Sequence, residues 1–274
     1  MSTPPRFPLL LEPEAFEQHR NAENLLLIDI GRAKSYAAGH IPQAVYLEYT
    51  KLLLIRKPIG GLLPDTQQLS QVLSSVGLTP ETHVVVYDDE GGAKAGRLIW
   101  TLHLLGHDAC SVLNGGIHTW ANEGHELDRT LVSPSPSNYQ ATIQWPEGVV
   151  DADYVLKNLD NPDVVLVDAR APEEYTGIKL FAERGGHIPG AINMDWIQNL
   201  DRMRNLRWKP EQELRAMFEG AEVTPDREVI VYCHTHHRSS HTYVVLKWLG
   251  YPNVKGYAGS WSEWGNRMDA PIEK

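Results

Sequence analysis

Val229-Ile230-Val231-Tyr232-Cys233-His234-Thr235-His236-His237-Arg238-Ser239-Ser240 is the stretch from which the rest of this 274-residue chain is read. An apolar, β-branched run stops at a cysteine. Polar residues follow, and then a helical pattern over 243–249 closes at Gly250. The order predicts strand, tight loop and helix, with the cysteine first in the loop. Amide groups at the start of a helix lack intrahelical partners, and a loop curling into that helix gathers them into an anion nest. A thiolate there is stabilised by those donors, by the positive helix end, by Arg238 and by any protonated fraction of His234, His236 and His237. Cysteines so placed have pKa values of roughly 3.5–7.5 instead of about 8.5. The stretch therefore predicts a thiolate beside a cavity built for an anion.

The same pattern occurs twice. Leu27-Ile28-Asp29 leads to Gly39-His40-Ile41-Pro42, and Leu166-Val167-Asp168 leads to Gly186-His187-Ile188-Pro189. Leu78-Thr79-Pro80 precedes Val84-Val85-Val86-Tyr87, and Val223-Thr224-Pro225 precedes Val229-Ile230-Val231-Tyr232, with eight residues from Thr to Tyr in both. Gly115-Gly116 with Trp120 answers Gly259-Ser260 with Trp264. The repeat predicts two domains, residues 1–130 and 149–274, joined by a Ser- and Pro-rich linker over 131–148. Strands apolar on both faces alternate with helical patterns. That is the mark of an α/β fold whose mainly parallel sheet is flanked by helices on both faces. Sites in such sheets lie at the carboxyl ends of strands, where Cys233 falls.

The copies differ where chemistry is expected. Asp88 stands at the position of Cys233 and opens Asp88-Asp89-Glu90-Gly91-Gly92-Ala93-Lys94. Three acids repel an anionic substrate, so the first copy reads as structural support and one wall of a cleft. The second copy has nineteen residues from Asp168 to His187 against eleven from Asp29 to His40, and the extra length carries Lys179 and Arg184. Such an insertion either supplies cations to an anionic substrate or is a solvated surface loop. His40 and His187 recur in both copies, including the one without a nucleophile, and so read as structural.

Composition narrows the classes. The chain is 42% apolar with a formal net charge of −10, which disfavours nucleic acid and anionic membranes as partners. No apolar run approaches the ~20 residues of a membrane span, and the N-terminus lacks a signal-peptide core, so a cytoplasmic location is the expectation. Two cysteines make no disulfide framework and fit a reducing compartment. Cys110 reads as a core thiol.

The doubled pattern resembles the two-domain rhodanese-like sulfurtransferases from about Leu9 to Ile272. The resemblance implies two tandem rhodanese-like domains, the amino-terminal one without a catalytic cysteine. It implies Cys233 as nucleophile, the loop from Cys233 through His234, Thr235, His236 and His237 to Arg238 as a persulfide cradle, and Arg238 as the cation orienting substrate. Arg184 joins the substrate-binding candidates. The basic loop departs from the Cys-Gly-Ser-Gly-Val-Thr of mercaptopyruvate-type enzymes and from the Cys-Arg-Lys-Gly-Val-Thr of animal thiosulfate enzymes. It resembles the loop of bacterial two-domain thiosulfate enzymes, which favours thiosulfate as donor and cyanide or a thiol as acceptor. No cofactor or metal is expected, and the simplest assembly is a monomer. The alternatives are a 3-mercaptopyruvate sulfurtransferase and a persulfide carrier serving a protein partner. A cysteine phosphatase would need five residues between Cys and Arg where this chain has four. A zinc site would crowd Cys233, His234, His236 and His237 into one short loop.

Overall fold

The computed structural model describes residues 7–274. The strands of the N-terminal half are β1 (Leu10–Leu11), β2 (Leu25–Asp29), β3 (Val45–Tyr46), β4 (Leu54–Arg56), β5 (Ile59–Leu62), β6 (His83–Tyr87) and β7 (Cys110–Leu113). Those of the C-terminal half are β8 (Val149–Val150), β9 (Val164–Asp168), β10 (Ile192–Asn193), β11 (Leu200–Asp201), β12 (Arg207–Trp208), β13 (Glu228–Tyr232) and β14 (Val254–Tyr257). Two five-stranded sheets result, ordered β1-β7-β6-β2-β3 and β10-β9-β13-β14-β8. The strand pairs in both are parallel. The α/β expectation holds, and the central strands are apolar on both faces because helices cover both.

The chain divides into two compact units that do not simply follow chain order. Of the described residues, one comprises 7–52, 64–145 and 201–208; the other comprises 53–63, 146–200 and 209–274. A single linker at 131–148 therefore describes only part of the division. Residues 131–145 run extended along the first unit, where Ser137 and Tyr139 bond Ser74 and Ala141 bonds Ser70. The β4–β5 hairpin belongs to the second unit, whereas β12 belongs to the first and β11 falls on the division between Leu200 and Asp201. A two-stranded hairpin has no core of its own and must pack on a larger body.

The repeated Gly-His-Ile-Pro motif has one structural job in both units. His40 stacks on Tyr36 at 3.8 Å between ring centroids, and His187 stacks on Tyr175 at 3.6 Å. The following amide donates to a tyrosine hydroxyl at the end of the central strand: Ile41 to Tyr87 at 3.1 Å, Ile188 to Tyr232 at 3.2 Å. In each unit that tyrosine pairs in register with the strand-ending aspartate, Asp29 or Asp168. The motif thus closes the core over the sheet, among Tyr36, Tyr87 and Trp120 in one unit and Tyr232, Trp261 and Trp264 in the other. Trp261 and Trp264 are buried packing, and Cys110 is a buried thiol whose pKa burial pushes up.

Candidate active site

β13 ends at Tyr232, and the helix Arg238–Trp248 begins five residues after Cys233, so the predicted strand, loop and helix are in place. The helix is embedded rather than amphipathic. Its residues from Ser239 to Leu246 are all buried, and His241 meets the Trp196 ring edge-on at 5.4 Å. A helix enclosed in this way holds its first turn rigidly.

Cys233 is fully buried. Burial alone raises a thiol's pKa. Against that act the Arg238 charge and hydrogen bonds to the sulfur from the Ser239 hydroxyl, the Ser239 N–H and the Thr235 N–H, and the net shift is downward. The cradle is therefore made of donors, as an anion requires. His234, the next residue, is pushed down by burial and then by Arg238. It favours the neutral form.

Two loop residues bear backbone strain. His236 has φ +52° and Ser260 has φ +51°, a region that β-carbon-bearing residues rarely occupy. At the position of Ser260 the first unit has Gly116, also at positive φ. Here Ser260 Oγ accepts from the Cys233 amide at 3.3 Å and the His236 amide at 3.1 Å, while donating to the Tyr257 carbonyl at 2.8 Å. The Trp261 and Ser262 amides bond the carbonyls of Cys233 and His234. The segment after β14 thus fastens the loop through side chain and backbone. The sequence reading missed Ser260, although a serine where the first copy has glycine was a visible signal.

Arg238 forms a two-point ion pair with Glu174, Nη1 to Oε2 at 2.5 Å and Nη2 to Oε1 at 2.9 Å. Glu174 is 4% exposed and its carboxyl is held below the usual range: burial opposes this, but Arg238 outweighs it. Glu174 was also missed. Its signal was the change from Ser35 in Ala33-Lys34-Ser35-Tyr36 to Glu174 in Pro172-Glu173-Glu174-Tyr175, at equal distance from the strand-ending aspartate. Behind it, Arg170 clamps Asp168 with Nη2 at 2.6 Å and lies over the Trp261 ring at 4.3 Å.

The β4–β5 hairpin lies against the loop. The Gly60 amide donates to Ser262 Oγ at 3.2 Å, and a β-carbon on Gly61 would come within 2.0 Å of the Thr235 carbonyl oxygen. Glycine there is required by close backbone approach. Thr235 and His237 are half-buried loop residues, and His236 is fully buried.

Arg184 donates through Nη1 to the Ala270 carbonyl at 2.9 Å and through Nη2 to the carbonyls of Trp264 and Arg267. A cation holding three carbonyls past the end of the helix Ser260–Trp264 is placed to cap it. The neighbouring Lys179 rests over the Phe181 ring at 5.0 Å, and that ring lies 5.6 Å from the ring of His234. Among the described residues, no group of three His, Cys, Asp or Glu side chains is arranged to hold a metal ion. Nor is any helix among them long and apolar enough to cross a membrane.

At a parallel strand's carboxyl end, Cys233 is thus a buried thiol whose pKa is lowered, against burial, by Arg238 and donors of the loop. Residues 12–123 and 151–267 match the rhodanese-like domain, and the chain belongs to that family. It is 42% identical to the thiosulfate sulfurtransferases of Azotobacter vinelandii and Pseudomonas aeruginosa over 97% of both chains. It is 33% identical to the sulfur carrier protein TtuD of Thermus thermophilus over 87% of each. A structure of EanB in complex with ergothioneine matches 92% of this chain at 25% identity with a TM-score of 0.84; this chain spans 65% of that one.

Proposed function

We propose that the protein is a thiosulfate sulfurtransferase working through a persulfide on Cys233. The observation that carries this is the sulfur of Cys233 held by three donors and the Arg238 charge despite complete burial. The thiolate attacks the outer sulfur of thiosulfate. A new S–S bond forms as the old one breaks, and sulfite leaves with the bonding pair. The loop amides and Arg238 offset the anionic charge of donor and leaving group. A nucleophile such as cyanide or a thiol then attacks the outer persulfide sulfur, and Cys233 leaves as thiolate. Two displacements through a covalent intermediate give ping-pong kinetics.

Donor choice follows from charge. Thiosulfate is a dianion, and the loop offers it the Arg238 guanidinium where mercaptopyruvate-type loops offer small neutral residues. A second reading, a carrier that hands its persulfide to a protein, is favoured by exposed Ile178, Leu180 and Phe181, at 79%, 60% and 51%, the last with its ring 5.6 Å from that of His234. The test is thiocyanate formation from thiosulfate and cyanide, with 3-mercaptopyruvate in parallel. Strong thiosulfate turnover that falls at least about a thousandfold in Cys233→Ala is expected. Preference for mercaptopyruvate would overturn the donor. Slow turnover with small acceptors but rapid discharge to a thiol protein would favour the carrier.

A further inference from the structure

Ser260 holds a backbone conformation that glycine holds without strain. It sits at φ +51°, where the first unit has Gly116 at φ +56°. His236, three residues after Cys233, sits at φ +52°, where the first loop has Gly91 at φ +96°, three residues after Asp88. The second unit thus carries side chains at two left-handed positions that the first unit fills with glycine. Such strain persists only where surrounding contacts enforce it, and it clusters at functional sites.

The two strained residues are bonded to each other. The His236 amide donates to Ser260 Oγ at 3.1 Å, and the Cys233 amide donates to the same oxygen at 3.3 Å. Backbone amides only donate, so Oγ accepts both, and its own hydrogen goes to the Tyr257 carbonyl at 2.8 Å. Ser260, Cys233 and His236 are all fully buried, so solvent does not replace a lost acceptor there. The backbone tie beside it is common to both units: the Trp261 amide bonds the Cys233 carbonyl at 2.9 Å, as the Ile117 amide bonds that of Asp88 at 3.2 Å. The hydroxyl is what the second unit adds.

That addition bears on which loop amides can face the sulfur. In the first loop, the amides two, four and seven residues beyond Asp88 converge on its carboxylate. In the second loop, the amides of Cys233 itself and of the third residue beyond it converge on Ser260. The two sets share no position. We propose that Ser260 is a positioning residue for Cys233: its hydroxyl draws the Cys233 and His236 amides to one side of the loop, so that the nest opens around the sulfur on the other. The proposal rests on Cys233 being the nucleophile. Ser260 acts through the loop backbone and not on substrate.

The test compares Ser260→Gly, Ser260→Ala and Ser260→Thr. Each is followed by thermal melt, by kcat/KM for thiosulfate, and by the rate of Cys233 alkylation with iodoacetamide at pH 7, read at the Cys233 peptide by mass spectrometry. Glycine relieves the strain, alanine keeps it, and both lack the oxygen. Ser260→Gly is therefore expected to melt above Ser260→Ala, while both fall at least about tenfold in kcat/KM and in alkylation rate, a loss within the range that misplaced groups produce. Threonine keeps the hydroxyl in a conformation costly for a β-branched residue. It is expected to melt below Ser260→Gly yet to react within about threefold of wild type. Reactivity that follows the oxygen and not the melt is what a serine of purely structural value would not produce. Wild-type reactivity in Ser260→Gly, a much slower Ser260→Ala, or a folded Ser260→Thr as slow as Ser260→Ala would overturn the proposal. If Ser260→Thr does not fold, the glycine and alanine variants decide. Alkylation needs no sulfur donor. Slow alkylation of Ser260→Gly, beside a wild type that alkylates rapidly but shows no thiosulfate turnover, would keep the role of Ser260 and remove the proposed reaction instead.

Discussion

The loops after β6 and β13 occupy the same place in two repeats of one fold, and each is an anion nest. They differ in what fills it. In the second unit the nest surrounds the Cys233 sulfur, with Arg238 alongside. In the first it surrounds the side chain of its own Asp88, whose Oδ1 accepts from the amides of Glu90 at 3.0 Å and Gly92 at 2.9 Å and whose Oδ2 accepts from Ala95 at 3.0 Å. The geometry persists, but a built-in carboxylate takes the donors that a substrate or persulfide would use. The supporting pair differs too. Glu174 grips Arg238, whereas at the matching positions Ser35 donates to Asp89 at 2.8 Å and Ala93 replaces the arginine. Loss of the cation and loss of its acidic partner go together, since a buried glutamate without its arginine would be costly.

The sharpest way to break this comparison is to move the nucleophile. In Asp88→Cys combined with Cys233→Ala, thiocyanate formation is expected to remain at least about a thousandfold below wild type. The first loop offers Asp89, Glu90 and no arginine, which disfavours both the thiolate and a dianionic donor. Recovered turnover would mean that the backbone nest suffices and that the charges do not decide which unit is active.

A smaller effect is expected from Glu174→Gln. It retains an acceptor for Arg238 but removes the negative charge that a dianionic donor must approach. The KM for thiosulfate should fall about fivefold, with a smaller change in kcat. A rise in KM in steady-state kinetics would instead make Glu174 chiefly the residue that orients the guanidinium.

An effect on stability alone, with none expected on turnover, concerns the paired strand-ending aspartates. Asp168 has Arg170 as a buried partner, whereas Asp29 has the Gly31 amide at 2.8 Å and two neighbouring acids, Asp88 and Asp89. Burial, offset in part by that amide, raises the Asp29 carboxyl from 3.8 to about 6. A raised carboxyl means that the folded state holds the proton more tightly than the unfolded one. Its ionisation therefore costs stability progressively as pH rises from about 3.8 to 6, and the whole cost persists above. Asp29→Asn keeps the acceptor for Gly31 without the charge. It should stabilise the protein by about 1–3 kcal/mol at pH 8 and by little near pH 4, read by urea unfolding at the two pH values. Equal effects at both would show that the carboxylate's charge is not the difference between the two strand ends.

Much of this was present in the residues themselves. The strands apolar on both faces, the doubled Gly-His-Ile-Pro and the abrupt stop at Cys233 identified the fold, the repeat and the loop that carries the cysteine, because strand burial and a helix's first turn are local consequences of residue order. The repetition of His40 and His187 across an active-looking and an inactive-looking copy correctly marked them as structural. Arg184 shows the opposite case. A cation in an insertion is equally consistent with binding a substrate and with capping a helix, and only the position of the Trp264, Arg267 and Ala270 carbonyls separates the two.

The sequence by itself thus determined which loop carries the thiol and which copy lacks it, since both follow from identities at aligned positions. The tertiary structure alone decided what surrounds that thiol. Glu174 lies 64 positions from Arg238, Ser260 lies 24 from His236, and Gly61 reaches Thr235 from the other half of the chain. Local pattern records each residue's preference for helix, strand or turn. The choice of ion-pair, hydrogen-bond and close-packing partners depends on which distant backbone segments the sheet and its packed helices bring within a few ångströms.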